Sequence, residues 1–189
     1  MSTPYRDYQG GRTELARPVD PSWDHIQGSP DAPVTLVEYG DYQCPFCGAA
    51  APHVKAVQSA MGDELAFVFR HFPLVEVHPF AEPAAEAAEA AGGQGRFWEM
   101  HDQLFTHQRA LQPEYLLLYA RTIGLDVDRF ATELANRVYA PRVIQHLQSG
   151  VASGVQGTPT FFVNGVHHTG SYEAPALLAA VQAAASQHA

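Results

Sequence analysis

Residues 34–47 read VTLVEYGDYQCPFC, and this stretch decides the fold because it contains a change from strand to helix. Its first six residues are mostly β-branched or apolar, which is typical of a buried strand. After a short loop, apolar residues recur with helical spacing from Pro45 onward, and Gly62 is a suitable helix stop. A second apolar strand is predicted over 65–72. The unit is therefore strand–helix–strand with a right-handed crossover, which is typical of a parallel sheet.

The rest of the chain changes character twice. Segment 77–153 contains helical patterns and no strand candidate. Two strands then follow over 160–169, and the dipeptide Asn164-Gly165 between them is a strong hairpin signal. A closing helix is predicted over 174–186. The order β-α-β, helices, β-β-α indicates an α/β fold in which an all-helical insertion divides a small sheet domain.

These patterns predict a domain organisation. We expect a flexible tail over residues 1–21, a sheet domain formed by 22–76 and 154–189, and a helical insertion over 77–153. The first twenty residues lack the apolar core of about 7–15 residues that a secretory signal needs. A cytoplasmic location is the expectation, or a periplasmic or other extracytoplasmic one if a signal has been removed.

Composition excludes several classes of function. The chain has 189 residues, of which 46% are hydrophobic and 16% charged, enough apolar material for a substantial core. Lys and Arg number 11 against 20 Asp and Glu, so the formal net charge is −9. An acidic chain is poorly suited to bind phosphate backbones, so we expect no nucleic-acid partner. No apolar run approaches about 18 residues, so we expect no membrane span.

The chemistry is concentrated in Cys44-Pro45-Phe46-Cys47, which contains the chain's two cysteines. Pro45 suits the first helical position, which places Cys44 at the helix start. Free N–H groups and the helix dipole stabilise an anion there, so the Cys44 thiol should ionise near neutral pH. Cys47 lies one turn further on the same side and can form a disulfide with it. Cys44 is therefore the expected attacking thiol and Cys47 the resolving one.

Three other interpretations of the cysteines are weaker. A structural disulfide over so short a loop contributes only about 2 kcal/mol in the chain-entropy model, against about 5 kcal/mol for a hundred-residue loop. Structural zinc needs four ligands, and the sequence has no second C-x-x-C motif. Two inert buried cysteines do not explain the placement between strand and helix. We expect no metal and no cofactor besides the redox-active pair.

Two further positions leave alternatives open. Glu38 lies inside an apolar strand, six residues before Cys44, and is either a buried acid that exchanges protons with Cys47 or a strand end in solvent. Thr158-Pro159 precedes the hairpin. A cis bond there would expose the Thr158 backbone for antiparallel pairing with an extended peptide, whereas an ordinary trans turn would not.

Other polar residues favour structural roles. Several histidines suggest a metal, but His101 lies between aromatic residues at helical spacing, so we interpret it as a core histidine. Glu82, Glu86 and Glu89 share one helical face, which we expect to be solvated. An acidic patch that attracts basic substrates is the less favoured alternative.

Four segments together resemble a known family. They are DAPVTLVEYGDYQCPFC, FVFRHFPL, AEAAEAAGGQGRFWEMHDQLF and GVQGTPTFFVNG. In this order they resemble the DsbA-like branch of the thioredoxin superfamily over about residues 22–187. The resemblance implies a thioredoxin fold with a helical insertion.

The resemblance also implies roles for individual residues. Four catalytic positions are the buried acid, the nucleophile, the resolving cysteine and the cis-proline: Glu38, Cys44, Cys47 and Pro159. Three neighbours are expected to contact substrate: Pro45, Phe46 and Thr158. Two of these depart from strongly oxidising members, which have histidine in place of Phe46. Threonine before the proline is more similar to reductase or isomerase members.

The predicted function is a thiol–disulfide oxidoreductase that acts on protein or peptide cysteines, with the direction of reaction open. The expected partners are cysteine-containing substrates and a redox partner such as glutathione or a thioredoxin-type reductant. One alternative is a non-catalytic redox sensor or binding module. Another is a glutathione-linked transferase or isomerase on the same fold, although such relatives usually have serine at the position of Cys44.

Overall fold

A computed structural model describes residues 14–187 and contains one five-stranded sheet with the order β1-β3-β2-β4-β5. Strands β2 and β3 are parallel, and the other neighbours are antiparallel. The strands are β1 His25–Gln27, β2 Val34–Gly40, β3 Leu65–His71, β4 Thr160–Val163 and β5 Val166–His168.

Helix α1 connects β2 to β3, helices α2 to α6 lie between β3 and β4, and α7 follows β5. They are α1 Pro45–Met61, α2 Ala81–Gly92, α3 Phe97–Thr106, α4 Pro113–Thr122, α5 Val127–Ala135, α6 Ala140–Ala152 and α7 Ala174–Ala185. This order confirms the predicted α/β fold with an all-helical insertion. Within the described residues, no helix combines the length and the apolar character that a bilayer crossing requires.

Local sequence explains where the elements begin and end. Pro45 stands in the first turn of α1, where its missing N–H is not needed. Gly62 follows the helix with φ of 54°, a left-handed conformation that favours glycine. Asn164 and Gly165 have φ of 45° and 81°, which are the two left-handed residues of a tight hairpin turn.

The sheet separates two hydrophobic cores. Alternate residues of β2 point to opposite faces, so Leu36 packs into the larger core and Val37 into the smaller one. The larger core contains apolar residues of α1 and of the insertion helices, including Val54 and Met100. By the same alternation, Glu38 faces the larger core, where α1 covers the sheet.

Residues 14–21, which the sequence assigned to a flexible tail, instead pack on the domain. Glu14 forms a β-bridge with Val166. The buried Arg70 guanidinium donates hydrogen bonds to the carbonyls of Arg17 and Pro18, at 2.9 and 3.1 Å. The tail prediction is therefore wrong for this segment, because a buried arginine needs these acceptors. Residues 1–13 lie outside the described part of the chain.

The predicted solvated glutamate face is also wrong. Glu86 and Glu89 are only 4% and 2% exposed. Arg137 pairs with Glu86 at 2.8 Å and with Glu82 at 2.6 Å. Arg137 also has φ of 51°, which is not a helical conformation, and α6 begins at Ala140.

Candidate active site

The two cysteines lie at the start of α1, just after the loop that follows β2, as the sequence predicted. Cys44 is the N-cap of α1, and its N–H donates to both the carbonyl and the Oδ1 of Asp41, each at 3.1 Å. Cys47 is fully buried, and its Sγ accepts from the Asp41 N–H at 3.4 Å. Both cysteines are free thiols.

The surroundings shift the acidities of the two thiols in opposite directions. A hydrogen bond from the Cys47 thiol, helped by the Thr158 side chain and by the N–H groups of Cys47 and Phe46, lowers the pKa of Cys44 to about 5. Burial, followed by the hydrogen bond to Cys44, raises the pKa of Cys47 well above its usual value. Near neutral pH the site therefore holds one thiolate and one thiol.

The loop before β4 forms the other wall of the site. The Thr158–Pro159 peptide bond is cis. The Cys44 Sγ lies 3.4 Å from the Thr158 carbonyl oxygen. The Thr158 Oγ1 is buried without a hydrogen-bond partner among the described residues, so it is free to donate to a thiolate.

Glu38 is buried, which excludes its interpretation as a strand end in solvent. Its side chain is 2% exposed, and its Oε1 has no hydrogen-bond partner within residues 14–187. Burial, followed by the nearby Cys44 charge, raises the pKa of Glu38 to about 8. Glu38 also lines a cavity of about 240 Å³ between α1 and α3, together with Lys55 and Asp102. A buried carboxyl group with a raised pKa therefore lies near the two thiols.

The outer surface of the site is apolar. Phe46 is 62% exposed although it is a large aromatic residue, and Pro45 beside it is exposed as well. Pro159 is half-buried at the adjoining loop. An exposed aromatic residue next to a reactive thiol is a feature of contact surfaces rather than of a core.

Sequence reasoning missed two residues that hold the cysteine loop. Asp41 accepts from the N–H of Gln43 and Cys44 through Oδ1, and from the N–H of Leu74 through Oδ2 at 2.9 Å. An aspartate shortly before a helix was an available signal for such a cap. Gln108, from the loop after α3, donates to the Cys44 carbonyl at 2.8 Å. Gln108 is 64 residues from Cys44 in the sequence, so no local pattern could have predicted this contact.

A second cluster of potential ligands lies away from the cysteines. His71, Glu89 and His146 bring one ligand atom each within 4.8 Å of one another. However, the His146 Nδ1 accepts from the His71 N–H at 3.2 Å, so the neutral ring carries its proton on Nε2 and offers no lone pair there. Glu89 already pairs with His71, His25 and Arg142. This donor set serves hydrogen bonds and does not fit a metal ion.

His101 is 7% exposed, and its Nδ1 lies 3.0 Å from the Tyr42 hydroxyl. Burial, followed by the neighbouring positive groups, lowers its pKa to about 3, so the ring is neutral. The prediction of a satisfied core histidine agrees with this placement.

Fold and site together define a dithiol protein of the thioredoxin type, with a C-x-x-C pair at a helix start facing an X-Pro loop. A family model described as "Thioredoxin" matches residues 22–183. The chain therefore belongs to the thioredoxin family.

Solved structures agree with this membership. A thioredoxin-like oxidoreductase from Silicibacter pomeroyi DSS-3 is 30% identical, with a TM-score of 0.75, and the match covers 88% of this chain and 94% of the other. BdbD from Bacillus subtilis gives a TM-score of 0.81 at 22% identity, covering 92% and 98%. The alpha-DsbA1 protein of Wolbachia pipientis gives 0.77 at 18% identity, covering 90% and 94%, which likewise supports the DsbA-like fold.

Curated relatives with similar sequences are much longer chains, and only part of each matches this protein. A Na(+)/H(+) antiporter, NhaA 1 of Salinispora arenicola, is 52% identical over 174 residues, which cover 92% of this chain and 26% of the antiporter. An NhaA 1 of Mycobacterium sp. is 46% identical over 89% of this chain and 28% of its own length. The chain thus spans about a quarter of the length of these relatives.

Proposed function

We propose that this protein is a thiol–disulfide oxidoreductase that acts on cysteines of proteins or peptides. The observation that carries the proposal is the placement of the two cysteines: Cys44 caps the start of α1 beside the Thr158 carbonyl, and Cys47 is buried one turn behind it. This placement sets the pKa of Cys44 at about 5 and that of Cys47 well above its usual value. A nucleophile must be ionised near neutral pH, and a resolving thiol should stay protonated until it is needed.

The proposed reaction balances with the two cysteines alone. The Cys44 thiolate attacks one sulfur of a substrate disulfide, forms a mixed disulfide and expels the other substrate sulfur as a thiolate. The ionised form of Glu38, a minority near neutral pH because its pKa is about 8, accepts the proton of Cys47. Cys47 then attacks the Cys44 sulfur, which releases the second substrate sulfur. The substrate has then gained two electrons and takes up two protons, and Cys44–Cys47 is a disulfide. The reverse sequence oxidises a substrate dithiol.

We assign the surrounding residues to substrate binding. An extended peptide would pair with the Thr158 backbone, and Pro159 would keep that backbone accessible beside Cys44. The exposed ring of Phe46 and the neighbouring Pro45 would contact apolar side chains that flank the substrate cysteine. The 3.4 Å distance between the Cys44 Sγ and the Thr158 carbonyl supports this arrangement.

Direction and partners form the finer part of the proposal. The Phe46 side chain cannot hydrogen-bond the thiolate, which favours a less oxidising protein with glutathione or a thioredoxin-type reductant as redox partner. We propose a cytoplasmic location, with an extracytoplasmic one as the alternative, and no cofactor beyond the cysteine pair. Equilibration with glutathione buffers would measure the potential and thereby the direction.

Alkylation of the reduced protein with a limiting thiol reagent near pH 7, followed by peptide mapping, tests the proposal. We expect adducts at Cys44 long before Cys47, and catalysed reduction of insulin disulfides that is lost in Cys44→Ser. Preferential labelling of Cys47 would contradict the assigned roles. Absence of turnover with insulin and with glutathione disulfide would contradict the enzymatic function.

A second candidate is a redox sensor that regulates a partner without turnover. It is favoured by one observation, which is that the similar segment makes up only about a quarter of relatives named as antiporters. A sensor would exchange electrons once per oxidation event, whereas an oxidoreductase would reduce many equivalents of insulin per protein. Counting turnovers therefore separates the two. A glutathione-linked transferase is less favoured because Cys47 lies directly behind Cys44.

A further inference from the structure

In the loop before Cys44, the side chains of Asp41, Tyr42 and Gln43 each contact the helical insertion or the segment that leads into it. The Asp41 carboxylate accepts from the Leu74 N–H and lies 2.8 Å from the His78 Nδ1. The Tyr42 hydroxyl contacts His101, as described above. The Gln43 Oε1 accepts from the Phe80 N–H at 2.7 Å. The insertion is thus part of the frame of the site.

Gln108 is the contact that reaches Cys44 itself. It lies in the loop after α3, and its Nε2 donates to the Tyr42 carbonyl at 2.9 Å and to the Cys44 carbonyl at 2.8 Å. The side chain approaches α1 so closely that a Cβ at Gly48 would overlap the Gln108 Oε1. Glycine at position 48 therefore permits this bridge.

We propose that Gln108 is a positioning residue through which the helical insertion sets the acidity of Cys44. This inference rests on the proposed function, since it concerns the same nucleophile. Gln108 does not touch the Cys44 sulfur in the structure. It holds the two carbonyls on either side of Gln43, and so fixes the backbone from which the Cys44 side chain projects.

The physical argument concerns alignment. The Cys44 thiolate is stabilised first by the Cys47 thiol, then by the Thr158 side chain and the N–H groups of Cys47 and Phe46. Such hydrogen bonds weaken steeply when the donor is misaligned. Because the first turn of a helix lacks internal partners for its N–H groups, its geometry depends on contacts from outside the helix. One amide spanning two carbonyls supplies such a contact.

The test is a titration of the Cys44 thiolate absorbance near 240 nm in the reduced full chain, where Cys47 does not interfere because its pKa is much higher. Gln108→Leu keeps the size but removes both donors. We expect its midpoint to rise by about one pH unit, which is about tenfold less thiolate below both midpoints. The midpoint should rise further in Gln108→Glu, because this variant places an acceptor and a negative charge against two carbonyls.

Two variants provide the controls. Arg96→Ala removes an exposed ion pair with Glu99 on the same insertion, at 2.7 Å, and should leave the midpoint unchanged. Gln108→Asn retains the amide but is one methylene too short to span both carbonyls, so we expect a smaller rise than in Gln108→Leu. It also gives a reading if the glutamate variant fails to fold.

The outcomes separate this inference from the proposed function. An unchanged midpoint in both Gln108→Leu and Gln108→Asn, with folding intact by circular dichroism, would overturn the positioning role. Equal shifts in these variants and in Arg96→Ala would overturn it as well. Failure of the wild-type protein to turn over insulin contradicts the proposed function, yet leaves the titration fully measurable.

Discussion

Two glutamates in this molecule are equally buried and behave in opposite ways. Glu38 and Glu89 are each 2% exposed. Burial raises the pKa of Glu38 to about 8, because its Oε1 has no hydrogen-bond partner among the described residues. At Glu89 burial also opposes ionisation, but hydrogen bonds and charges from His25 and His71 hold the pKa well below its usual value.

The difference lies in the partners that each carboxyl group finds. Glu89 at the insertion has His71, His25 and Arg142 within hydrogen-bonding distance, so its charge is a fixed part of the structure. Glu38 at the cysteine site faces thiols and a cavity, so its proton remains available. A buried acid with partners supports the fold, whereas one without partners is poised to move a proton.

The largest effect is expected for Glu38→Gln in a background with both cysteines changed to serine. With both cysteines present the unfolded carboxyl ionises near pH 4.5 and the folded one only near pH 8, chiefly because of burial. The serine background removes the smaller contribution of the Cys44 charge, so the folded midpoint of this parent should lie somewhat below 8. The stabilising effect of the bound proton is therefore complete below pH 4.5 and is lost as the pH rises to about 8. The free energy of unfolding should fall by about 4 kcal/mol across this window.

Glu38→Gln should remove that slope, since glutamine does not titrate. Urea unfolding at several pH values between 5 and 9 measures it for both proteins. Parallel curves for variant and parent would show that Glu38 is ionised in the folded state, and the contrast with Glu89 would then fail.

Replacement of Glu89, the buried glutamate that has partners, should lower stability without changing the acidity of Cys44. Glu89→Gln leaves Arg142 without its counter-charge and His71 without its carboxylate partner, so we expect a loss of about 3 kcal/mol in the free energy of unfolding. The Cys44 titration midpoint should not move. Glu99→Gln, which breaks an exposed pair, is the matched control and should change stability by less than about 0.5 kcal/mol. A change of less than about 0.5 kcal/mol in Glu89→Gln would mean that its ion pairs contribute no more than exposed ones.

A third change sharpens the contrast within the cysteine site. Thr158→Val preserves shape but removes the unpartnered hydroxyl that favours the thiolate. The pKa of Cys44 should rise by about one unit, as a hydrogen bond to a charged group predicts. Thiolate absorbance against pH measures it. An unchanged midpoint would mean that the backbone N–H groups alone stabilise the thiolate.

The smallest effect on stability is expected when both cysteines become serine. The reduced protein contains no covalent link between them, and the cores are formed by other residues. The free energy of unfolding of Cys44→Ser/Cys47→Ser should stay within about 1 kcal/mol of the reduced parent, while exchange activity disappears. Loss of folding would assign the pair a structural role that its loop length does not favour.

Much of the architecture was predictable because its signals are local. Pro45 and Gly62 bound the first helix, and Asn164-Gly165 forms the hairpin turn, each through its own backbone preference. The placement of Cys44 at the helix start followed from these.

The failures concern contacts between distant residues. Three glutamates at helical spacing predict a solvent-exposed face unless arginine and histidine side chains from other segments pair with them. One such partner, Arg142, lies more than fifty residues from Glu89. The segment 14–21 has a polar composition, yet Arg70 binds its carbonyls. Gln108 reaches Cys44 across 64 residues. The hydrophobic periodicity of a single sequence does not predict such contacts between distant residues.

The long separation between the two walls of the cysteine site has a consequence for biosynthesis. Cys44 and Thr158 are 114 residues apart, and β4 pairs with β2 across the whole insertion. At about 5–20 residues per second, a ribosome needs roughly 6–23 seconds to travel from one to the other. During that interval the nascent chain has its cysteines but neither the Thr158 contact nor the β4 neighbour of β2. Nascent chains stalled before residue 158 should therefore expose a Cys44 thiol of weaker acidity, so full reactivity requires that the chain has been made through β4.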